Sequence, residues 1–203
     1  MFNKFVRLVF VPLVILTLAS VAQAQMGGSA DMGSNRPVSF GIGGGVSVPV
    51  SDASDAFDTG FNGQGFVRFN LPQFPIQPRV DFTFSKFDVK DVTLATPGAS
   101  GTGQIFAGIA NVQYSFMHSG FLRPYIVAGL GAYNTKTDIS GIPGVTGNSS
   151  TDFGINAGLG AVFKISSAVS GYVEGRIDNV YSSKGMIQAD QVQVVPVTFG
   201  LVF

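Results

Sequence analysis

From Pro37 to the end of the chain, apolar and polar positions alternate with a period of two, the spacing of strands that have one apolar face. Val38, Phe40, Ile42, Val46, Val48 and Val50 share one parity, and Ser39, Gly41, Gly43, Gly45, Ser47 and Pro49 the other. Phe61, Val67, Phe69 and Leu71 oppose Asn62, Gln64, Phe66, Arg68 and Asn70. Val80, Phe82 and Phe84 oppose Arg79, Asp81, Thr83 and Ser85. In 153–165, Phe153, Ile155, Leu159 and Phe163 oppose Gly154, Asn156, Gly158, Gly160 and Lys164. Val173, Ile177 and Tyr181 oppose Glu174, Arg176 and Asp178, and the last strand sets Val195, Val197, Phe199, Leu201 and Phe203 against Pro196, Thr198, Gly200 and Val202. In 104–116 and 124–134, small and apolar residues occupy both parities. There the faces with Phe106, Val112, Tyr114 and Phe116, and then Tyr125, Val127 and Tyr133, are assigned to the apolar side of the sheet.

These segments make eight strands whose connections alternate in length. Those near 51–60, 88–103, 135–151 and 182–191 are longer, and those near 72–78, 117–123 and 166–171 are short. Short turns at one end and longer loops at the other are the pattern of an up-and-down membrane barrel. Thr96-Pro97-Gly98, Ile142-Pro143-Gly144 and Gly147-Asn148 supply turn chemistry to the long loops. An even strand count places both termini at the short-turn, periplasmic end.

Which face is apolar separates a soluble sandwich from a membrane barrel, because a sandwich hides its apolar face and a barrel turns it to lipid. The polar face here is rich in Gly, Ser, Asn and Thr, which suits the narrow interior of eight strands. Aromatics on the apolar face gather near strand ends: Phe40, Phe69, Phe82, Phe116, Tyr125, Phe163 and Phe203 toward the short turns, and Phe61, Phe106, Tyr133, Phe153 and Tyr181 toward the long loops. Two aromatic girdles around an aliphatic band match two bilayer interfaces. The expected fold is therefore all-β, an eight-stranded antiparallel up-and-down transmembrane β-barrel over residues 37–203.

The N-terminus breaks the alternation. Residues 1–24 have Lys4 and Arg7, an apolar run from Leu8 to Leu18, and Ala22-Gln23-Ala24. That is the three-part form of a cleaved secretory signal peptide. The run is shorter than the roughly 20 residues a membrane-spanning helix needs. Residues 25–36 are polar and Gly-rich and read as a flexible lead-in. Without Lys4 and Arg7 the chain carries slightly more acid than base, and charged residues are only 12% of the whole. So little positive charge excludes nucleic acid as a partner. The absence of Cys excludes disulfides and thiolate chemistry, and a single His excludes a multi-His metal site. No cofactor is expected.

The chain resembles the outer-membrane β-barrel domain family, the small eight-stranded barrels of the OmpA/OmpX type. Phe40-Gly41-Ile42-Gly43-Gly44-Gly45 with Val48-Pro49, Arg123 to Gly131, Asn156 to Gly160, Val173 to Arg176, and the closing Val195 to Phe203 carry the resemblance. It implies a place in the cell outer membrane, among outer-membrane lipids. It also implies insertion by the barrel-assembly machinery, which would read Phe199, Leu201 and Phe203 as its C-terminal signal. The peptidoglycan-binding domain found in some relatives is not expected, since nothing follows Phe203 in this sequence.

Candidate chemistry is sparse. Arg68, Arg79, Asp81, Lys164, Glu174, Arg176 and Asp178 fall on the inward parity. They could line a narrow pore, but their near balance of sign favours an ion-pair network that fills the lumen. His118-Ser119 suggests a base and a nucleophile, yet adjacent residues on a short turn do not set up that pair. Asp52, Asp55 and Asp58 could hold Ca²⁺, but they lack the spacing of a calcium loop. Gly43-Gly44-Gly45 has neither the Lys nor the helix of a phosphate cradle and reads as a bend or bulge. The expected role is structural or adhesion-type and non-catalytic, with an outside partner at the long loops. A narrow channel and a lipid-modifying enzyme are the alternatives.

Overall fold

The computed structural model describes residues 36–51, 53–71, 74–90, 100–117, 120–140, 147–181 and 191–203. The expected signal peptide, nearly all of the lead-in, Asp52, His118, Ser119 and the Thr96-Pro97-Gly98 and Ile142-Pro143-Gly144 turns lie outside them. Eight strands follow in order: β1 (Val38–Val50), β2 (Gly60–Phe69), β3 (Ile76–Asp88), β4 (Ser100–Ser115), β5 (Leu122–Ser140), β6 (Asn148–Lys164), β7 (Ser170–Tyr181) and β8 (Val192–Val202). A one-turn helix, α1 (Ala53–Ala56), follows β1. Each strand pairs with its sequence neighbours, and the ring closes in order from β1 to β8. The closing pair is antiparallel, from Gly41 opposite Val202 to Val50 opposite Gln193. Phe40 and Phe203 extend it by exchanging two backbone hydrogen bonds of 3.2 and 2.8 Å. Closure removes the sheet edge, whose unpaired N–H and C=O groups hydrocarbon cannot satisfy.

The strands reach further than the hydrophobic pattern does. β5 has 19 residues and β6 has 17, so much of the expected 135–151 loop is a hairpin ladder, paired out to Thr137 opposite Asn148. Asn148, expected in a turn, begins β6. β4 starts at Ser100 and pairs with β5 out to Ser140. Both faces are polar along this stretch, so the alternation disappears while Thr135, Thr137, Ile139 and Thr151 keep their strand preference.

Ile42, Phe61, Leu130, Leu159 and Phe199 point outward and are exposed. Ser39, Asn62, Gln64, Arg79, Asp81, Asn111, Asn156 and Glu174 point inward and are buried. The facing assigned to 124–134 is reversed. Tyr125, Val127 and Tyr133 are 1–2% exposed and lie inside, while Ile126 and Leu130 face out. The register requires it: Val127 pairs with Gln113 and shares its inward face. Tyr125 and Tyr133 therefore leave the girdles. Phe82 leaves its girdle too, for it sits at mid-strand between Gly65 and Gly108, which present no side chain there. Phe61 with Phe84, and Phe153 stacked on Tyr181, hold the long-loop girdle at centroid distances of 6.1 and 6.4 Å. Tyr114 and Phe116 meet at 5.2 Å near the short turns.

The Gly43-Gly44-Gly45 bulge is absent, as β1 keeps continuous register with both neighbours through these residues. Glycine is needed for room. A Cβ at Gly41 would collide with the Phe66 ring, and one at Gly158 would lie 2.5 Å from Arg176 Cγ. Each of these glycines is directly opposite the large inward residue it admits.

An exterior this apolar is stable only against lipid. Leu159, mid-strand in β6 and 70% exposed, tests that. Leu159→Arg should destabilise the bilayer-inserted protein by about 2–4 kcal/mol in urea unfolding. Destabilisation below about 1 kcal/mol would place this face in water or at the membrane interface.

Candidate functional site

The barrel interior gathers the chemistry. β3 and β7 lie on opposite sides of the ring, and each carries an Arg and an acid two residues apart, which the period of two turns to the same inner face. They meet across the lumen. Arg79 Nε donates to Asp81 Oδ1 at 2.8 Å, its Nη1 to Glu174 Oε2 at 2.6 Å and its Nη2 to Glu174 Oε1 at 3.0 Å. Arg176 Nη1 donates to Asp81 Oδ2 at 2.8 Å, and its Nε lies 3.6 Å from Glu174 Oε1. Gln64 Nε2 donates to both acids, at 3.2 and 3.1 Å, and Tyr125 Oη donates to Glu174 Oε2 at 2.7 Å. Gln113 Oε1 accepts from Arg79 at 3.3 Å. The Arg79 guanidinium carbon stands 3.8 Å above the Phe66 ring centroid, and Phe66 meets Tyr172 edge-on at 5.4 Å. Two cations and two anions, all buried, cancel and tie opposite walls together.

Apolar packing closes the lumen on either side of this tetrad. Phe66, Tyr125, Val127, Val162, Tyr172 and Val202 fill the short-turn half. Phe87, Ile105, Ile109, Tyr133, Val180 and Val194 pack together in the long-loop half. The segment after β1 caps that half. Ser51 turns the chain with a φ of 54°, α1 follows, and Phe57 bridges to Val89 and packs on Phe87 at 6.1 Å. Lys90 binds the cap twice, from its amide to Ala56 O at 2.9 Å and from Nζ to Ser54 O at 2.7 Å.

The structure gathers Arg79, Asp81, Glu174 and Arg176 but not all the residues expected with them. Arg68 is buried, and its Nε donates to Asn70 Oδ1 at 3.0 Å rather than to an acid. Asp178 is buried two residues beyond Arg176, and its Oδ1 has no hydrogen-bond partner among the described residues. Nor do the side-chain amides of Asn111 and Asn156 or the Tyr133 hydroxyl. Lys164 is a correction. As the last residue of β6 it projects past the packed interior, is exposed, and is outside the network. Phe199, Leu201 and Phe203 lie on the exposed outer face at the end of β8. Asp55 and Asp58 are exposed around the cap. Among the described residues no group of three His, Cys, Asp or Glu side chains is placed to hold a metal. The charge network expected from the sequence contains none of Gln64, Gln113, Tyr125 and Arg123, although Gln64 is on the polar face of its strand. Parity alone signals Gln64 and Gln113, while Tyr125 and Arg123 needed the facing of β5.

Glu174 accepts from Arg79, Gln64 and Tyr125 and lies 3.6 Å from Arg176 Nε, so Glu174→Ala should cost about 3–5 kcal/mol in unfolding by leaving buried charge unpaired. Adding Arg79→Leu should recover more than about 0.5 kcal/mol relative to additivity, since the remaining Asp81–Arg176 pair is balanced. Additive losses would show that the tetrad is not one unit.

The family model for the outer membrane protein beta-barrel domain matches residues 11–203. Among curated proteins none matches the sequence. Neisserial surface protein A has a similar structure at 14% identity, with a TM-score of 0.61 over 82% of this chain and 96% of that one. A major outer membrane protein from Thermus thermophilus is similar at 13% identity and a TM-score of 0.55, over 83% and 99%. Ail, the attachment invasion locus protein of Yersinia pestis, solved with the heparin analogue sucrose octasulfate, is similar at 18% and 0.50, over 82% and 97%. This chain belongs to the outer membrane protein beta-barrel domain family and resides in the cell outer membrane.

Proposed function

We propose that this barrel is a non-catalytic structural and surface-interaction protein that meets an outside partner through its long-loop end. The observation that carries the proposal is the distribution of packing. The lumen is filled at three successive levels, by the capped apolar cluster, the ion tetrad and the aromatic cluster. Meanwhile β4, β5 and β6 continue beyond them as a polar, hydrogen-bonded wall. Asn134 Nδ2 donates there to Thr151 Oγ1 at 2.8 Å and to Ser150 O at 3.1 Å. A filled lumen favours a scaffold over a conduit. A rigid ladder that lifts polar side chains away from the lipid is suited to contact.

Charge narrows the partner. At the long-loop end the described acids are Asp55, Asp58, Asp88, Asp138 and Asp152, against Lys86, Lys90 and Lys136. Such a surface suits a neutral or basic protein partner better than a sulfated polysaccharide. Cells displaying the protein should adhere to immobilised host or matrix proteins more than cells lacking it. Adhesion should fall with Asn134→Ala/Lys136→Ala/Asp138→Ala and should resist added heparin. Steady single-channel openings of the purified protein in planar bilayers, with adhesion unchanged, would replace this role with that of a pore.

A further inference from the structure

The inner-face charges do not balance level by level. Arg79 and Arg176 each meet two carboxylates. Toward the short-turn end the inner face carries Arg68 and then Arg123, and no acid. Arg68 is directly opposite Arg79 across the β2–β3 pair, with like-charged neighbours in Arg79 and Arg123. It is 8% exposed, and its hydrogen bond goes to the neutral Asn70 amide, itself bonded to Ser39 Oγ at 2.8 Å and Arg36 O at 2.8 Å. Arg123, second residue of β5, is opposite the inward Val162 and so faces the same mouth. Lys164 is exposed at the same end. Among the described residues, no carboxylate comes within ion-pair distance of these three cations. Every described acidic side chain lies in the tetrad, beside it at Asp178, or at the long-loop end, and the terminal carboxylate of Phe203, at the short-turn end, forms no ion pair among the described residues.

A guanidinium this buried normally has an anion against it, because desolvated charge without a counter-ion is costly. Arg68 spends Nε on Asn70, which leaves its two terminal nitrogens for another acceptor. Arg68, directly opposite Ser39 on the neighbouring strand, and Arg123, across the lumen on β5, make a donor-rich mouth without acidic side chains, which suits an oxyanion with two or more acceptor oxygens.

We propose that the short-turn mouth of the lumen, built on Arg68 and Arg123, binds an oxyanion, a phosphate or a carboxylate, from the compartment that holds both chain termini. The site is independent of the long-loop surface and its proposed partner. A soluble anion and the phosphate of a lipid headgroup offer the same chemistry, and the test separates them.

The mature protein is titrated with inorganic phosphate and with acetate in zwitterionic nanodiscs, while the arginine Nε–H resonances are followed by NMR. Saturable shifts of the Arg68 and Arg123 signals are expected. Arg68→Gln and Arg123→Gln should each weaken binding about tenfold, the loss of a charge-assisted hydrogen bond. Arg68→Lys should fall between, and Lys136→Gln, at the opposite end, should leave the titration unchanged. Signals already shifted in phosphatidylglycerol nanodiscs, and insensitive there to added phosphate, would assign the oxyanion to a lipid headgroup and support the site. Resonances that no anion shifts, in either membrane, overturn it. So does an Asp31→Asn variant that alone moves them without added anion, since the lead-in's own carboxylate would then occupy the mouth.

Discussion

Backbone hydrogen bonding in hydrocarbon is the constraint on which the rest of the structure depends. Lipid offers no partner to an unpaired N–H or C=O, so the sheet must close on itself. With eight strands, closure leaves an interior too narrow to be an open channel and too wide to collapse without side chains. Alternation then sends every second residue into that interior, beyond the reach of lipid and mostly of water. The outer face is free to be greasy, and the inner face must satisfy itself.

The tetrad is how the inner face does so at its centre. Arg and acid two residues apart on diametrically opposed strands meet in the middle. Glycine directly opposite makes the space for some of the large residues, as Gly41 does for Phe66 and Gly158 for Arg176. Above and below, Tyr133 and Tyr125 bring aromatic bulk that polar residues alone would not supply. The interior is thus a core in the ordinary sense, with its charges paired at the middle and left in excess at one mouth.

Where one face carried charge or amide groups, the sequence was legible. Arg79 with Asp81, and Glu174 with Arg176, set the facing of β3 and β7 with no structural help. β5 was not legible, because Ala128, Gly129, Gly131 and Ala132 put small residues on both parities and its largest residues fill the lumen instead of meeting lipid. One signal did exist. Arg123 shares its parity with Tyr125 and Val127, which hints at an inward face, though at the strand end a lipid-facing guanidinium costs only about 0–1 kcal/mol. The ends of β5 and β6, from Asn134 to Asp138 and from Asn148 to Asp152, left no hydrophobic trace, since both of their faces are polar. Which inner cations find acids is a matter of register and reach across the lumen, so the separation of Arg68 and Lys164 from the tetrad was not in the alternation.

Facing within β5 is the most direct test of the inside–outside assignment, and the chain has no Trp to obscure it. Single Trp substitutions at Leu130 and Tyr133, on opposite parities of one strand, would be reconstituted in bilayers with brominated acyl chains. Fluorescence at position 130 should be strongly quenched and that at position 133 spared. Strong quenching at 133 with little at 130 would contradict the lipid-facing assignment and turn the barrel wall inside out.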